Sequence, residues 1–520
     1  MRDMPDLLVR DVRLVALDAP DAPRPEQAAL PTREPVDVLV RDGVIIAVGA
    51  GVREQVAARG IPVLEGEGRY VVPGLWDMHV HMVQWGLTQA RLDTSGTTAP
   101  QQVVDLVSER LAGGLNTPTG VLVGYGHRMG SWGERPTVAA LDAVSGEVPV
   151  ALIAGDAHHG WLNTAALRLV GGPMVTGVVA EGAWFPLYDR LQRLQGAAEE
   201  AEFGVAQAVA AAHARGVVGI VDLEFGQPWL QWRERTAGET PPLRARTAVY
   251  PEGLDTVITA GVRTGDPIRA TDGLVTMGPL KVITDGSLNT RTAWCCQPYA
   301  DAAEPGLSHG APNLPGDELV ELLQRAHDAG LEAALHAIGD AAVATVLDAF
   351  AATGARGSVE HAQLVDLADL QRWSRLPVRA SVQPAHLLDD REATEQCWPG
   401  RSHRTFTLRS FLDAGIELAL GSDAPVSPLD PWLAMAAAVH RGGEGEDSWH
   451  PEQRISPREA LAASVDGQRI GTGARGDLAL LDADPLGGSD QDVSSAEQAS
   501  RLRSMTVSAT VLDGETVHGG

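Results

Sequence analysis

The chain has 520 residues, enough to bury a large core and more than the usual single-domain size, although α/β barrels run past roughly 250 residues as one unit. Its formal net charge of −27 comes without any basic run able to neutralise a phosphate backbone or hold anionic lipid, which excludes nucleic acid and membrane surfaces and leaves a small-molecule substrate. No signal-peptide pattern opens the chain and no apolar stretch approaches the roughly 18 residues that span a bilayer; Cys295, Cys296 and Cys397 make no CxxC spacing, so a soluble, cytoplasmic protein in a reducing compartment is expected.

In chain order, residues 7–72 alternate short β-rich runs ("LLVRDVRLVAL", "VDVLVRDGVIIAVG", "YVVPG") with turns, and the Pro-rich "DAPDAPRPEQAALPTREP" reads as a surface loop. From about 73 to 465, apolar strand-like runs alternate with helical segments: "VVGIVDLEF" after an Ala-rich helix, then "RARTAVY", "GPLKVITDG", "LEAALHAIGD", "GSVEHAQL", "RASVQPAH" and "IELALGSDAP". Continuous apolar strands followed by helices predict a parallel sheet, and about eight of them predict a closed (β/α)8 barrel of TIM type with its chemistry at the C-terminal strand ends. The tail, residues 466–520, returns to the texture of residues 1–72, so both termini are expected to build one small β-sandwich domain beside the barrel at 73–465. "RGGEGEDSWHPEQ" and "GGSDQDVSSAEQAS" read as solvated loops.

The polar residues that end these apolar runs form an ordered set. "DMHVH" supplies His79 and His81, "GPLKVITDGS" supplies Lys281, "ALHAIGD" His336, "VEHAQ" His361 and "LGSDAP" Asp423. Strand residues two apart face one side, so His79 and His81 can address one ion. One strand-end histidine is an ordinary structural group, whereas four with an aspartate suit zinc, and the same ligands serve manganese, iron or cobalt.

Lys281 is the single lysine of the chain. An ordinary ion pair with Asp285 would explain it, but so would chemistry closed to arginine, whose guanidinium stays protonated. A neutral amine near a cation can take up carbon dioxide as a carbamate, a lysine turned carboxylate that can bridge two ions, and burial and the metal's field favour that neutral amine.

HxH, Lys, His, His and Asp, in that order on strands one, four, five, six and eight, resemble the amidohydrolase superfamily in its carboxylated-lysine subtype. The phrases "VVPGLWDMHVH", "GDAHHGWLNTAAL", "LKVITDGSLNTRTA", "LHAIGDAAV", "VEHAQLVDLADLQRW", "ASVQPAH" and "GSDAPVSPLDPW" resemble its YtcJ-like amidohydrolase (amidohydrolase 3) family, which includes N-substituted formamide deformylases. The resemblance implies one or two metal ions, zinc above all. His79 and His81 would hold the more buried ion with Lys281 and Asp423, and His336 and His361 the second. It further implies attack of metal-bound hydroxide on a carbonyl carbon, with Asp423 as the catalytic proton shuttle. It is compatible with a homo-oligomer, although no interface is legible.

"GDAHHGWLNTAAL" matches a substrate-side loop of that family but departs from its D-G-H-S-A-W pattern at Ala157, His159 and Gly160. His158 and Trp161 there, and Arg291 as a carboxylate clamp, are the candidate substrate contacts; each reads equally as local structure. His127 and His386 end strands without an assigned role, and His213, on an Ala-rich helix, is expected to face solvent. Trp85, Trp132, Trp161 and Trp184 fall in loop-like stretches able to roof a pocket for an apolar group, with simple packing the commoner explanation for such rings. Hydrolysis of a C–N bond, an amide or substituted formamide, leads; an esterase, lactonase or deaminase on the same site, a Schiff-base lyase using Lys281, and a metal-free binding protein are the alternatives.

Overall fold

The computed structural model describes residues 5–17, 34–52, 60–115, 117–127, 129, 132–155, 159–238, 240–301, 309–487 and 493–519. The chain divides into two compact units, Met1–His81 with Val209–Gly520, and Met82–Ala208. The larger contains eight parallel strands, numbered here around the ring: β1 (Leu75–Val80), β2 (Val217–Asp222), β3 (Arg244–Val249), β4 (Val275–Ile283), β5 (Ala333–Ala337), β6 (Gly357–His361), β7 (Val378–Val382) and β8 (Leu418–Leu420). Each pairs in parallel with the next. The ring nearly closes through a parallel bridge between Val80 and Ala424, just past β8. This is the expected barrel.

Helices return the chain between strands, and Pro228, Pro251 and Pro431 open three of them in the first turn, where a missing N–H costs nothing. Covered on both faces, β1, β2 and β6 are buried along their whole length. On β1, Trp76 faces away from Asp77 and His79 and lies over Gly219 of β2, its register partner. A Cβ at Gly219 would stand 2.3 Å from the Trp76 ring. The guanidinium of Arg246 sits 4.4 Å from the same indole and that of Arg475 lies 5.7 Å away, so β3 and the chain before the C-terminal strands grip one aromatic.

Strands from both chain ends share a second, eight-stranded sheet in the order Glu515–Gly519, Val507–Leu512, Leu478–Leu481, Tyr70–Pro73, Leu7–Leu14, Val36–Arg41, Val44–Gly49, with Val63–Glu65 beside Leu7–Leu14. The junction is antiparallel, Leu480 opposite Val71, over a core of Val9, Val38, Val71 and Leu480. The Pro-rich stretch lies mostly outside the described residues.

The unit Met82–Ala208 holds a five-stranded sheet ordered Val179–Ala180, His159–Leu162, Val150–Ala154, Leu122–His127, Leu92–Asp93. Its tryptophans follow the packing explanation rather than the pocket-roofing one. Trp184 fills the space that Gly160 leaves open, Trp161 is 0% exposed with its indole N–H donating to the Thr137 carbonyl, and Trp85 lies in the helix Met82–Ala90. A unit this small needs large rings to fill its core.

Three expectations are corrected. His213 is buried, because the end of its helix is covered by the strand Val507–Leu512, whose Thr510 hydroxyl donates to the His213 carbonyl at 2.6 Å. "RGGEGEDSWHPEQ" is not a solvated loop throughout: Arg441 is buried and donates to the carbonyls of Thr405, Phe406 and Trp449, while Trp449 packs on Phe406. In "GGSDQDVSSAEQAS" a capping box between Ser494 and Glu497 starts the helix Ser495–Arg503, a signal visible as S-x-x-E. Among the described residues no helix is long and apolar enough to cross a membrane. Replacing Gly219 by alanine is expected to destabilise the barrel by about 1–3 kcal/mol through overpacking against Trp76, read as a lower midpoint in urea unfolding.

Candidate metal centre

The C-terminal ends of β1, β4, β5, β6 and β8 deliver the six expected ligands to one place. Asp77, His79 and His81 share a face at two-residue spacing. Lys281 is three-quarters along β4 and only 2% exposed. His336 and His361 come from β5 and β6, and Asp423 follows β8. His361, Ala362 and Asp423 have left-handed backbone, φ +69°, +44° and +58°, a conformation that non-glycine residues hold where the surroundings impose it.

Asp423 Oδ1 stands 3.3 Å from His79 Nε2 and 3.4 Å from His81 Nε2. The ligand atoms of these three residues lie within 4.8 Å of one another, close enough to hold a cation. His361 joins the cluster with its ring 4.9 Å from that of His79 and 4.6 Å from that of His336.

Three of the imidazoles are aimed by partners that sequence reading missed. His79 Nδ1 donates to Glu360 at 2.7 Å, His361 Nδ1 to Gln383 Oε1 at 2.8 Å and His336 Nδ1 to Asp285 at 3.1 Å. With Nδ1 engaged, Nε2 presents its lone pair, the arrangement that orients metal-binding histidines. Asp285 is no partner of Lys281: its carboxylate also accepts from the amides of Trp294, Ile338 and Gly339. Asp77 was a further omission, although D-x-H-x-H spacing places it beside His79; it accepts from the amides of His79 and Ser422.

Burial and charge set the protonation states. Burial, reinforced by the nearby Lys281 charge, pushes the His79 imidazole down to about 4, and burial and His336 hold His361 well below its usual range. Burial raises Asp423, but the imidazoles of His79, His81, His361 and His386 outweigh it and keep the carboxyl well below its ordinary value. Glu360 follows the same logic to about 2 through its bond to His79, whereas burial carries Asp77 to about 7. Neutral imidazoles at His79 and His361 beside an ionised Asp423 suit a divalent cation at neutral pH. Burial also lowers Lys281 against the opposing pull of Glu360 and Asp423, and its Nζ has no hydrogen-bond partner.

Of the expected substrate contacts, His158 lies outside the described residues. Trp161 belongs to the core of Met82–Ala208, and Arg291 pairs with Asp301 at 2.7 Å. His127 is buried in the same smaller unit, near Trp132 and His159. Sequence reading also passed over Phe225, which follows β2, stacks on His81 at 5.7 Å and Tyr250 at 4.9 Å, and is 52% exposed.

An eight-stranded βα barrel with histidines and an aspartate gathered at its strand ends defines a metallohydrolase-like architecture. Residues 63–518 match the sequence profile of the amidohydrolase family, and the chain belongs to that family. It is 26% identical to the putative amidohydrolase YtcJ of Bacillus subtilis over 92% of this chain and 95% of that protein. It is 27% identical to an N-substituted formamide deformylase of Arthrobacter pascens, over 92% of this chain and 94% of that protein. A crystal structure of an uncharacterized metal-dependent hydrolase from Pyrococcus horikoshii has the same fold, with a TM-score of 0.75 at 24% identity, covering 92% of this chain and 98% of that one.

Glu360→Gln removes the charged acceptor behind His79 while keeping its shape. Zinc affinity, measured by competition with a chromophoric chelator, is expected to fall about 10–100-fold.

Proposed function

We propose that the protein is a metal-dependent hydrolase that cleaves the C–N bond of a small amide or substituted formamide, a bond other than a peptide bond. The observation that supports this most directly is the Lys281 amine, buried without a partner among histidines whose Nε2 atoms converge. An ammonium left there would be costly, and a carbamate would turn it into a second anionic ligand beside Asp423.

In this reading His79 and His81 hold the more buried ion with Asp423 and the Lys281 carbamate, and His336 and His361 hold a second, zinc being the cation that the donor set fits. Bound cations would supply a nucleophilic oxygen at neutral pH and polarise the scissile carbonyl. Asp423, ionised and facing His79 and His81 through Oδ1, takes the proton of the attacking oxygen and returns it to the departing nitrogen. Glu360, Asp285 and Gln383 keep the imidazoles aimed throughout. The exposed face of Phe225, beside His81, receives the apolar part of the substrate, in place of the buried indoles. The sheet shared by both chain ends is read as the small β-sandwich that accompanies such barrels, and a reducing cytoplasm suits its three free cysteines.

The test is a screen of protein loaded with zinc in the presence of bicarbonate against N-formyl amines, N-acyl amino acids, small esters and lactones. Turnover is expected on the amides, and activity confined to esters or lactones overturns the reading. Asp423→Asn is expected to lower kcat about 10²–10⁴-fold while most of the zinc, measured by atomic emission, remains. Protein prepared with ¹³C-bicarbonate is expected to show a carbamate resonance that Lys281→Arg abolishes.

A further inference from the structure

His386 has no part in this scheme, and its surroundings set it apart from three of the other imidazoles of the cluster; His81 shares with it a buried ring nitrogen without a partner, Nδ1. It begins the helix His386–Cys397 just beyond β7, three residues after Gln383. His79, His336 and His361 each engage Nδ1 with a side-chain acceptor. The His386 ring interacts electrostatically with Asp390, on the same helix. Its Nε2 is buried without a partner, 3.9 Å from Asp423 Oδ2, beyond hydrogen-bonding distance. The ring lies nearly parallel to that of His361, at 6.2 Å and 20°.

Asp423 therefore divides its two oxygens. Oδ1 faces His79 and His81, and Oδ2 faces His386. A buried nitrogen left unmatched is unfavourable, and the imbalance is removed when a polar atom enters beside it. With Asp423 serving the attacking oxygen, the carbon under attack would lie next to Asp423, and the oxygen on that carbon would come within reach of an Nε2–H on the Oδ2 side of the carboxylate.

We propose that His386 is a catalytic residue whose Nε2–H donates a hydrogen bond to the substrate's carbonyl oxygen and holds it more strongly as that oxygen becomes an oxyanion. The proposal rests on the hydrolytic reading above. His386 transfers no proton and forms no covalent bond; its contribution is a fixed donor. The competing role is as a metal ligand, since the ligand atoms of His361, His386 and Asp423 also lie within 4.8 Å of one another.

The experiment compares zinc-loaded wild type with His386→Ala and with His386→Gln, which keeps an N–H donor. Methylphosphonate, a tetrahedral anion, is the probe; its affinity, read by calorimetry, does not depend on which bond the enzyme cleaves. Zinc per chain is expected to be unchanged in both variants. Methylphosphonate binding should weaken about 10–100-fold in His386→Ala, as for loss of one hydrogen bond to a charged group, and His386→Gln should recover most of it. On whichever substrate the screen finds, kcat should fall about 10²–10³-fold in His386→Ala. Unchanged phosphonate affinity in His386→Ala, or no phosphonate binding by the wild type, overturns the proposal. Loss of a zinc equivalent in either variant also overturns it and makes His386 a ligand. Failure of the amide screen with the phosphonate result intact removes the C–N assignment and leaves the donor role standing.

Discussion

The Asp423 amide donates to the His79 carbonyl at 2.7 Å, and the His81 amide to the Ala424 carbonyl at 2.9 Å, across the seam where the last barrel strand meets the first. Asp77 braces the same seam by accepting from the amides of His79 and Ser422. These bonds close the barrel and at the same time set the distance between the Asp423 carboxylate and the two histidines of β1. Loosening the seam would separate Asp423 from His79 and His81, so barrel closure and the geometry of the cluster rest on one set of hydrogen bonds here.

Around the seam the protein assembles charges that water would otherwise screen. Glu360 and Asp423 are buried yet held ionised, because each faces imidazole nitrogen rather than apolar carbon. The neutral imidazoles are equally a product of burial, since a second protonated ring in the cluster would repel the first. Lys281 Nζ is left without a hydrogen-bond partner, as are His81 Nδ1 and His386 Nε2 in the same cluster. The resulting balance depends on few atoms, and the left-handed backbone at His361 and Asp423 shows that local conformational preference yields to it.

Much of this was legible in the sequence, for physical reasons. Each candidate ligand ends an apolar run, strand periodicity alone puts His79 and His81 on one side, and the chain's lone lysine stands out in its composition. The braces behind the imidazoles were not legible, because they depend on register. Glu360 reaches His79 across the barrel, a relation that no spacing along the chain encodes. Tryptophan left two readings open for a related reason: an amphipathic ring in a loop-like stretch looks the same whether it roofs a pocket or, like Trp184 against Gly160, fills a core. His213 shows the limit of helix reading, since an Ala-rich helix has no polar face to tell which side a strand will cover.

The sheet that joins both ends of the chain also governs how the molecule is made. Tyr70–Pro73 leaves the ribosome early, but its neighbour Leu478–Leu481 is synthesised only after the whole barrel. Until then its backbone amides and carbonyls on that side stay exposed, a template for pairing with a second nascent chain. Pairing so remote in sequence is slow. Biosynthesis of this protein therefore passes through an unfinished sheet edge that stays open until Leu478–Leu481 has been made.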